Sequence, residues 1–484
     1  MAWVSGKYTE GEVMLMSVHQ AMKPSARLAP RVMTRGNLTL LNDGEISVLY
    51  NARSLAISVV DFPTTDPTEE EMSTLLDGLQ PTRDFRSSTK LPVAKAALAP
   101  LVTGDSGQLS RLTLNIANSC NLWCSYCYAD HGNYHSPTSL MPPETAVEVV
   151  KKCIRLYPNI GAIQFFGGEP LLNPAAMEAV CSYLTKECGD RCPDFTATTN
   201  GTILTEAIED VLVRHNVFLT ISLDGPSVIH DYLRPTRNGT SSHEMLMANL
   251  QRLKTLGVKY GFECTFTQGH IRADITVCDL LDYFANELGE VQPHIAWAHL
   301  PKPVKRLTID PQGIFRADFE TQTQEFLPPE LTASLFRDAA KYSMDNVRRG
   351  KGGVLSMVAR VLMTLGSRIP SSAYCPAFTS QMSIAADGEA YPCFMFIGDP
   401  RWKIGSVFED SFPGTRADEL WGQYRRAFDE SVTGSQEWYA ALTAGCVAGE
   451  FIATGKLTER IYEPVQQAVI EQAILGMAKC LDSN

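Results

Sequence analysis

Three cysteines stand within eight residues, in the run Cys120-Asn-Leu-Trp-Cys124-Ser-Tyr-Cys127. A loop this short brings three thiolates to one point, and thiolates select soft centres: zinc, Cu(I) or an iron–sulfur cluster. A structural zinc site needs a fourth Cys or His, and His131 and His135 are near enough in sequence to supply one. A cubane held by three thiolates instead leaves one iron open to a small molecule. The chain holds 13 cysteines in all. Its first residues, Met-Ala-Trp-Val-Ser-Gly-Lys, lack a basic segment followed by an apolar one, and no run of about 18 apolar residues occurs. We therefore expect a cytoplasmic protein with no membrane partner and reduced thiols, where clustered cysteines bind metal or do chemistry rather than pair.

The elements that must carry this loop are legible in the patterning. From 111 to about 300 apolar runs alternate with helical stretches, and candidate strands fall at 112–116, 162–166, 195–199, 217–222, 259–266 and 294–298. Repeated β-then-α units imply a parallel sheet, curled or doubly wound, with ligands collecting at the carboxyl ends of its strands. The cysteine run follows the first strand. Gly167-Gly168-Glu169-Pro170 ends the second, Thr199-Asn200-Gly201-Thr202 follows the third, and Ser222-Leu-Asp224-Gly225-Pro226 follows the fourth. Taken singly, each is an ordinary turn. Four of them at one mouth form a site, where glycines allow close backbone approach and a carboxylate accepts from an ammonium.

In this order the motifs resemble those of radical S-adenosylmethionine (SAM) enzymes, over roughly residues 110–300. The resemblance implies a partial (β/α)6 barrel of the TIM type and a [4Fe–4S] cluster on Cys120, Cys124 and Cys127, whose open iron is chelated by SAM. It implies SAM contacts from Tyr126, from Gly167, Gly168, Glu169 and Pro170 (the methionine amino group), and from Thr199 and Asn200. Ser222, Asp224 and an arginine, Arg234 or Arg237, would lie toward the SAM carboxylate and ribose. A flavodoxin- or ferredoxin-type electron donor is implied as well.

Cys375 and Cys393 flank Gly388 as C-x12-G-x4-C, which resembles the opening of the SPASM or twitch extension of peptide and protein maturases. The remainder of a full SPASM ligand set is missing. We therefore expect one auxiliary [4Fe–4S] cluster on Cys375, Cys393 and Cys446, with Cys480 or an exogenous group in the fourth place. Cys188 and Cys192 lie between a helix and the third strand, away from the mouths, and Cys153, Cys181, Cys264 and Cys278 read as buried small hydrophobes.

Ahead of the barrel, three short strands within 37–60 and a helix from Thr68 make a small α+β module. It resembles the winged-helix-like units that bind a leader peptide by strand addition. The expected division is a recognition module and linker over 1–100, the radical SAM core over 101–305, a helical connection over 306–371 and the auxiliary-cluster domain over 372–484. With 42 Lys and Arg against 54 Asp and Glu, the net charge of −12 argues against a nucleic-acid partner. The resemblance to maturases of ribosomal peptides and of quinohemoprotein amine dehydrogenase implies hydrogen abstraction from a precursor peptide or protein and formation of a thioether or carbon–carbon crosslink. The alternatives are a formylglycine-forming sulfatase maturase and, in a different class, a non-catalytic iron–sulfur or zinc scaffold.

Overall fold

The computed structural model describes residues 29–60, 67–78, 108–299, 325–368, 377–378, 380–428, 438–439, 442, 445–457 and 459–482. Four strands come first, β1 (Arg31–Arg35), β2 (Leu38–Asn42), β3 (Ser47–Asn51) and β4 (Ala56–Val60), in an antiparallel meander. Three of them follow from alternation. The additional strand β1, Arg-Val-Met-Thr-Arg, has little apolar signal and exists through its pairing with β2, from Arg31 opposite Asn42 to Arg35 opposite Leu38. The helix Glu69–Gly78 begins with a reciprocal cap, Glu71 N–H donating to Thr68 Oγ1 at 3.2 Å and Thr68 N–H to the Glu71 carboxylate at 2.6 Å. One face of the meander buries Leu40 against Met72 and Leu76. The other gives Leu41, Val48 and Tyr50 to the main core, where Lys479 of the last helix, Glu463–Asp482, reaches Asp43 at 2.7 Å and Glu45 at 2.6 Å.

That last helix packs along the helix Pro329–Arg348, and between them Glu471 is buried with Arg337 3.7 Å away. Burial outweighs this distant partner and holds the Glu471 carboxyl above its ordinary range. Ionising it thus costs more in the folded chain than in the unfolded one, so stability is lost as pH rises through the raised value. Glu471→Gln is expected to raise the thermal midpoint by a few degrees at pH 8 and by less at pH 5. Equal effects at the two pH values, followed by circular dichroism, would contradict this.

The main sheet contains β5 (Gln108–Asn118), β6 (Ser139–Leu140), β7 (Asn159–Gly167), β8 (Asp194–Thr199), β9 (Phe218–Ser222), β10 (Tyr260–Phe266) and β11 (His294–Trp297). Apart from the short β6, these run parallel and side by side in chain order. A doubly wound sheet would reverse its order at a switch point, so the curled form is the one adopted. Burial follows the pleat. Leu112, Phe165, Ala197, Ile221 and Cys264 are sealed, while Gln164, Thr198, Thr220, Ser222 and Glu263 on the alternate face stay partly open. The chain thus keeps a polar, accessible inner face.

One strand crosses the expected boundary at 372. β12 (Gln381–Ile384) lies parallel to β5, from Gln381 opposite Arg111 to Ile384 opposite Leu114, and turns at Gly388 (φ +86°) into β13 (Glu389–Tyr391) and then β14 (Gly405–Ser406). Gly388 is thus the turn of a hairpin, and that hairpin belongs to the barrel sheet. At the opposite edge, beyond β11, the short helix Val447–Thr454 abuts His299 through Gly449. The C-terminal part therefore reaches both edges of the curled sheet. Among the described residues no helix is long and apolar enough to cross a membrane.

Candidate active site

The cysteine loop leaves β5 and is pinned along its length. Trp123 N–H donates to Pro235 O at 2.8 Å and Ser125 N–H to Leu233 O at 2.9 Å, while Leu122 bridges to Thr236. Cys120, Cys124 and Cys127 are close enough to act on one another's ionisation. Burial raises all three thiols, Cys120 to about 12. Against burial, the N–H groups of Ala129, Gly132 and His131 stabilise the Cys127 thiolate and the Arg234 charge stabilises that of Cys124. Asp130, His131, Gly132, Tyr134 and His135 all have φ between +46° and +88°, a run of left-handed backbone around one thiol. His131 lies edge-on to Trp123, with ring centroids 4.6 Å apart, and His135 turns to Asp130 at the surface, 3.6 Å away. Among the described residues no three Cys, His, Asp or Glu side chains gather at the spacing of a single-ion site.

Gly167 and Gly168 seat the root of this loop. Gly168 N–H donates to Ala117 O and Glu169 N–H to Ser119 O, both at 2.8 Å. A Cβ on Gly168 would stand 2.3 Å from Ser119 O and 2.8 Å from Gly132 O. Gly168→Ala is therefore expected to push the loop off its seat, at a cost of roughly 1–3 kcal/mol, and to lower the iron taken up on anaerobic reconstitution. Unchanged iron content would refute this.

Glu169 is 1% exposed. Its Oε1 accepts from Thr199 Oγ1 at 2.7 Å and Leu171 N–H at 3.0 Å, and its Oε2 from Asn200 N–H at 2.8 Å. Burial pushes its carboxyl up to about 7, with these donors pulling the other way. Asn200 Nδ2 also reaches Asn121 Oδ1 at 2.9 Å and faces Cys120 Sγ at 3.8 Å, while Asn121 donates to Thr202 at 2.8 Å. Neither Asn121 nor Thr202 carries a role of its own in the sequence; their signal is position, one inside the cysteine run and the other closing the Thr199–Thr202 turn. Pro170 is buried in the short turn after Glu169, and Ser222 ends β9 on the open inner face.

Asp224 has a different place from the one expected. It is fully buried, and its Oδ2 accepts from Tyr126 OH at 2.6 Å and Arg234 Nε at 2.8 Å. Its Oδ1 accepts from Arg234 Nη2 at 3.2 Å and Thr265 N–H at 3.0 Å. Burial alone would raise its pKa, but the guanidinium holds it below the usual carboxylate range. With both oxygens committed, Asp224 ties the cysteine loop to β9 and β10 and offers no oxygen to a cofactor. Arg234 also lies over the Tyr126 ring at 5.3 Å, whereas Arg237 is exposed and lies over Trp123 at 5.3 Å.

The more distant cysteines divide. Cys375 lies outside the described residues. Cys393 is buried immediately before Phe394, whose ring is 4.4 Å from that of Phe166, and it perturbs Tyr128 and Tyr134 as Cys127 does. Cys446 caps the helix Val447–Thr454, its Sγ accepting from Gly449 N–H at 3.4 Å, and Phe451 of that helix packs on Phe396 at 5.6 Å. Cys393 and Cys446 thus head two touching elements. Cys480 does not join them. The Cys446 helix is tied through Glu450 to Ile461 and Tyr462, at the start of the last helix, whereas Cys480 lies about 25 Å along it, next to the residue paired with Asp43.

Residues 114–275 match the Radical SAM superfamily. Over these residues the barrel is a radical SAM domain, and the family of that domain implies a [4Fe–4S] cluster and SAM. Over 208 residues it is 29% identical to the radical SAM cyclopropyl synthase TigE of Paramaledivibacter caminithermalis, a match covering 40% of each chain. A cysteine-type anaerobic sulfatase-maturating enzyme of Clostridium perfringens is 22% identical over 305 residues, 62% of this chain and 77% of its own. Among solved structures, native anSMEcpe with bound AdoMet superposes with a TM-score of 0.60 at 18% identity, over 77% of this chain and all of that one. The chain thus spans less than half of the cyclopropyl synthase.

Proposed function

We propose that this chain is a maturase that modifies a peptide or protein by hydrogen abstraction and joins two side chains through a thioether or carbon–carbon bond. The observation carrying it is the polar, open inner face of the barrel beside the cysteine loop, with C-terminal segments at both sheet edges. Such an interior suits a polar chain segment held near a confined reactive centre. A cluster and SAM, when bound, supply a 5′-deoxyadenosyl radical.

The residues fit these groups. Cys120, Cys124 and Cys127 are half-buried thiols with amides and a guanidinium favouring their thiolate forms, which suits iron and gives no role to His135 as a zinc ligand. Glu169 Oε2 has one donor among the described residues and so keeps acceptor capacity for an ammonium. Asn200 and Ser222 face the same mouth. Tyr126, Asp224 and Arg234 act beneath it, as positioning residues for the loop. Cys393 and Cys446, with Cys375, would hold the auxiliary cluster. The meander's outer strands β1 and β4 have no further strand partner among the described residues, which supports leader binding by strand addition.

A formylglycine-forming activity is the second reading, favoured by the match over most of the C. perfringens enzyme. Anaerobic reconstitution followed by SAM and dithionite tests the class, and absence of 5′-deoxyadenosine overturns it. Mass spectrometry of a precursor peptide separates the two readings. A crosslink removes two hydrogens and introduces no aldehyde, whereas the formylglycine aldehyde condenses with a hydrazide.

A further inference from the structure

The inner face of the barrel carries a charge that the proposed chemistry leaves idle. Glu263 stands at the middle of β10, between Phe262 and Cys264, which are both sealed. Phe262 packs outward on Phe284 of the helix Val277–Glu287, with ring centroids 5.6 Å apart, so the pleat sends Glu263 to the opposite, inner face. It pairs in register with Ser222 of β9 on one side and His294 of β11 on the other. Of the half-open residues Gln164, Thr198, Thr220, Ser222 and Glu263 along this face, only Glu263 is charged.

Among the described residues its carboxylate has no hydrogen-bond donor and no ion-pair partner. The cations of this region are already engaged. Arg234 is bound to Asp224, Arg111 on β5 donates to Gln381 at 2.9 Å, and His294 Nδ1 meets Ser356 Oγ at 2.9 Å. Further down the same face a second carboxylate approaches: a Cβ on Gly261 would lie 3.5 Å from Glu290 Oε2 and 3.5 Å from the Phe218 ring. Glycine at 261 thus leaves room below Glu263, in a space that holds two carboxylates. Taking a carboxylate partly out of water costs free energy unless a cation or donors meet it, and a cation that meets it there is screened less than at the surface.

We infer that Glu263 determines substrate specificity: it receives the lysine or arginine side chain of a basic peptide segment held inside the barrel. The ammonium or guanidinium donates to the carboxylate, and no covalent bond changes. On the reading above the ammonium of SAM goes to Glu169, so the cation for Glu263 comes from the substrate. The net charge of −12 draws in a basic segment as well. This inference rests on the maturase reading.

The test uses the full chain, reconstituted anaerobically with iron and sulfide and supplied with SAM. It is offered four pools of octapeptides, random in neutral residues and fixed at one central position as lysine, arginine, norleucine or glutamate. Ultrafiltration and mass spectrometry report the fraction of each pool retained. The lysine or the arginine pool is expected to be retained at least about tenfold better than the norleucine pool, and that preference to vanish in Glu263→Gln. The better retained of the two identifies the cation. Equal retention of all four pools, no retention included, overturns the inference, as does a basic preference that survives in Glu263→Gln. If Glu263→Gln is insoluble, Glu263→Thr, a residue type that suits a strand, takes its place. The maturase reading fails separately, if the parent chain forms no 5′-deoxyadenosine with dithionite.

Discussion

Replacing Cys124 by alanine is expected to reduce 5′-deoxyadenosine formation to background while the chain stays folded and keeps its auxiliary iron. This thiol is half-buried, neighbours Cys120 and Cys127, and is the one stabilised as a thiolate by Arg234. With two thiolates in place of three, a cubane loses a protein ligand and the arrangement that leaves one iron open for SAM. Iron should fall by about four atoms per chain, the content of one cubane. Measured by product chromatography and iron assay together, persistent SAM cleavage would show that the cluster is bound elsewhere. Loss of all iron would show that the C-terminal cysteines hold none.

The second large effect belongs to Arg234. It and Asp224 form a buried pair with two hydrogen bonds, at 2.8 and 3.2 Å. Arg234→Met leaves the Asp224 carboxylate without its counter-charge, and removing one member of such a pair costs roughly 3–5 kcal/mol. Adding Asp224→Asn should recover much of that loss, since the amide oxygen still accepts from Thr265 N–H while the amide NH2 donates to the Tyr126 hydroxyl, which can accept as well as donate. Anaerobic denaturant unfolding of the single and double variants measures this. A single variant as stable as the parent would remove Asp224 and Arg234 from the support of the cysteine loop. The single variant should also take up less iron, because the charge favouring the Cys124 thiolate is gone.

Local chemistry was the legible part of the sequence. Cys120, Cys124 and Cys127 lie within one loop, and the Gly-Gly-Glu and Asn-Gly turns follow strands whose apolar rhythm marks their ends. The role of Asp224 was not legible, because a carboxylate after a strand reads alike whether it faces a ligand or Tyr126, which is 98 residues away in the chain. Cys480 illustrates the same limit. Its helix follows from periodicity, but only the docking of Lys479 onto Asp43 and Glu45 carries the thiol away from Cys446. β1 is invisible to alternation because pairing, not hydrophobicity, makes it a strand.

The pairing of β12 with β5 also bears on how the chain reaches its fold. Arg111 and Gln381, which hydrogen-bond across this edge at 2.9 Å, are 270 positions apart. Until residue 384 has left the ribosome, β5 is an unprotected edge in an otherwise assembled sheet, available to strands of other chains. The barrel segment expressed alone should therefore aggregate, and synthesis of the intact protein should depend on chaperones shielding that edge until its last strand arrives.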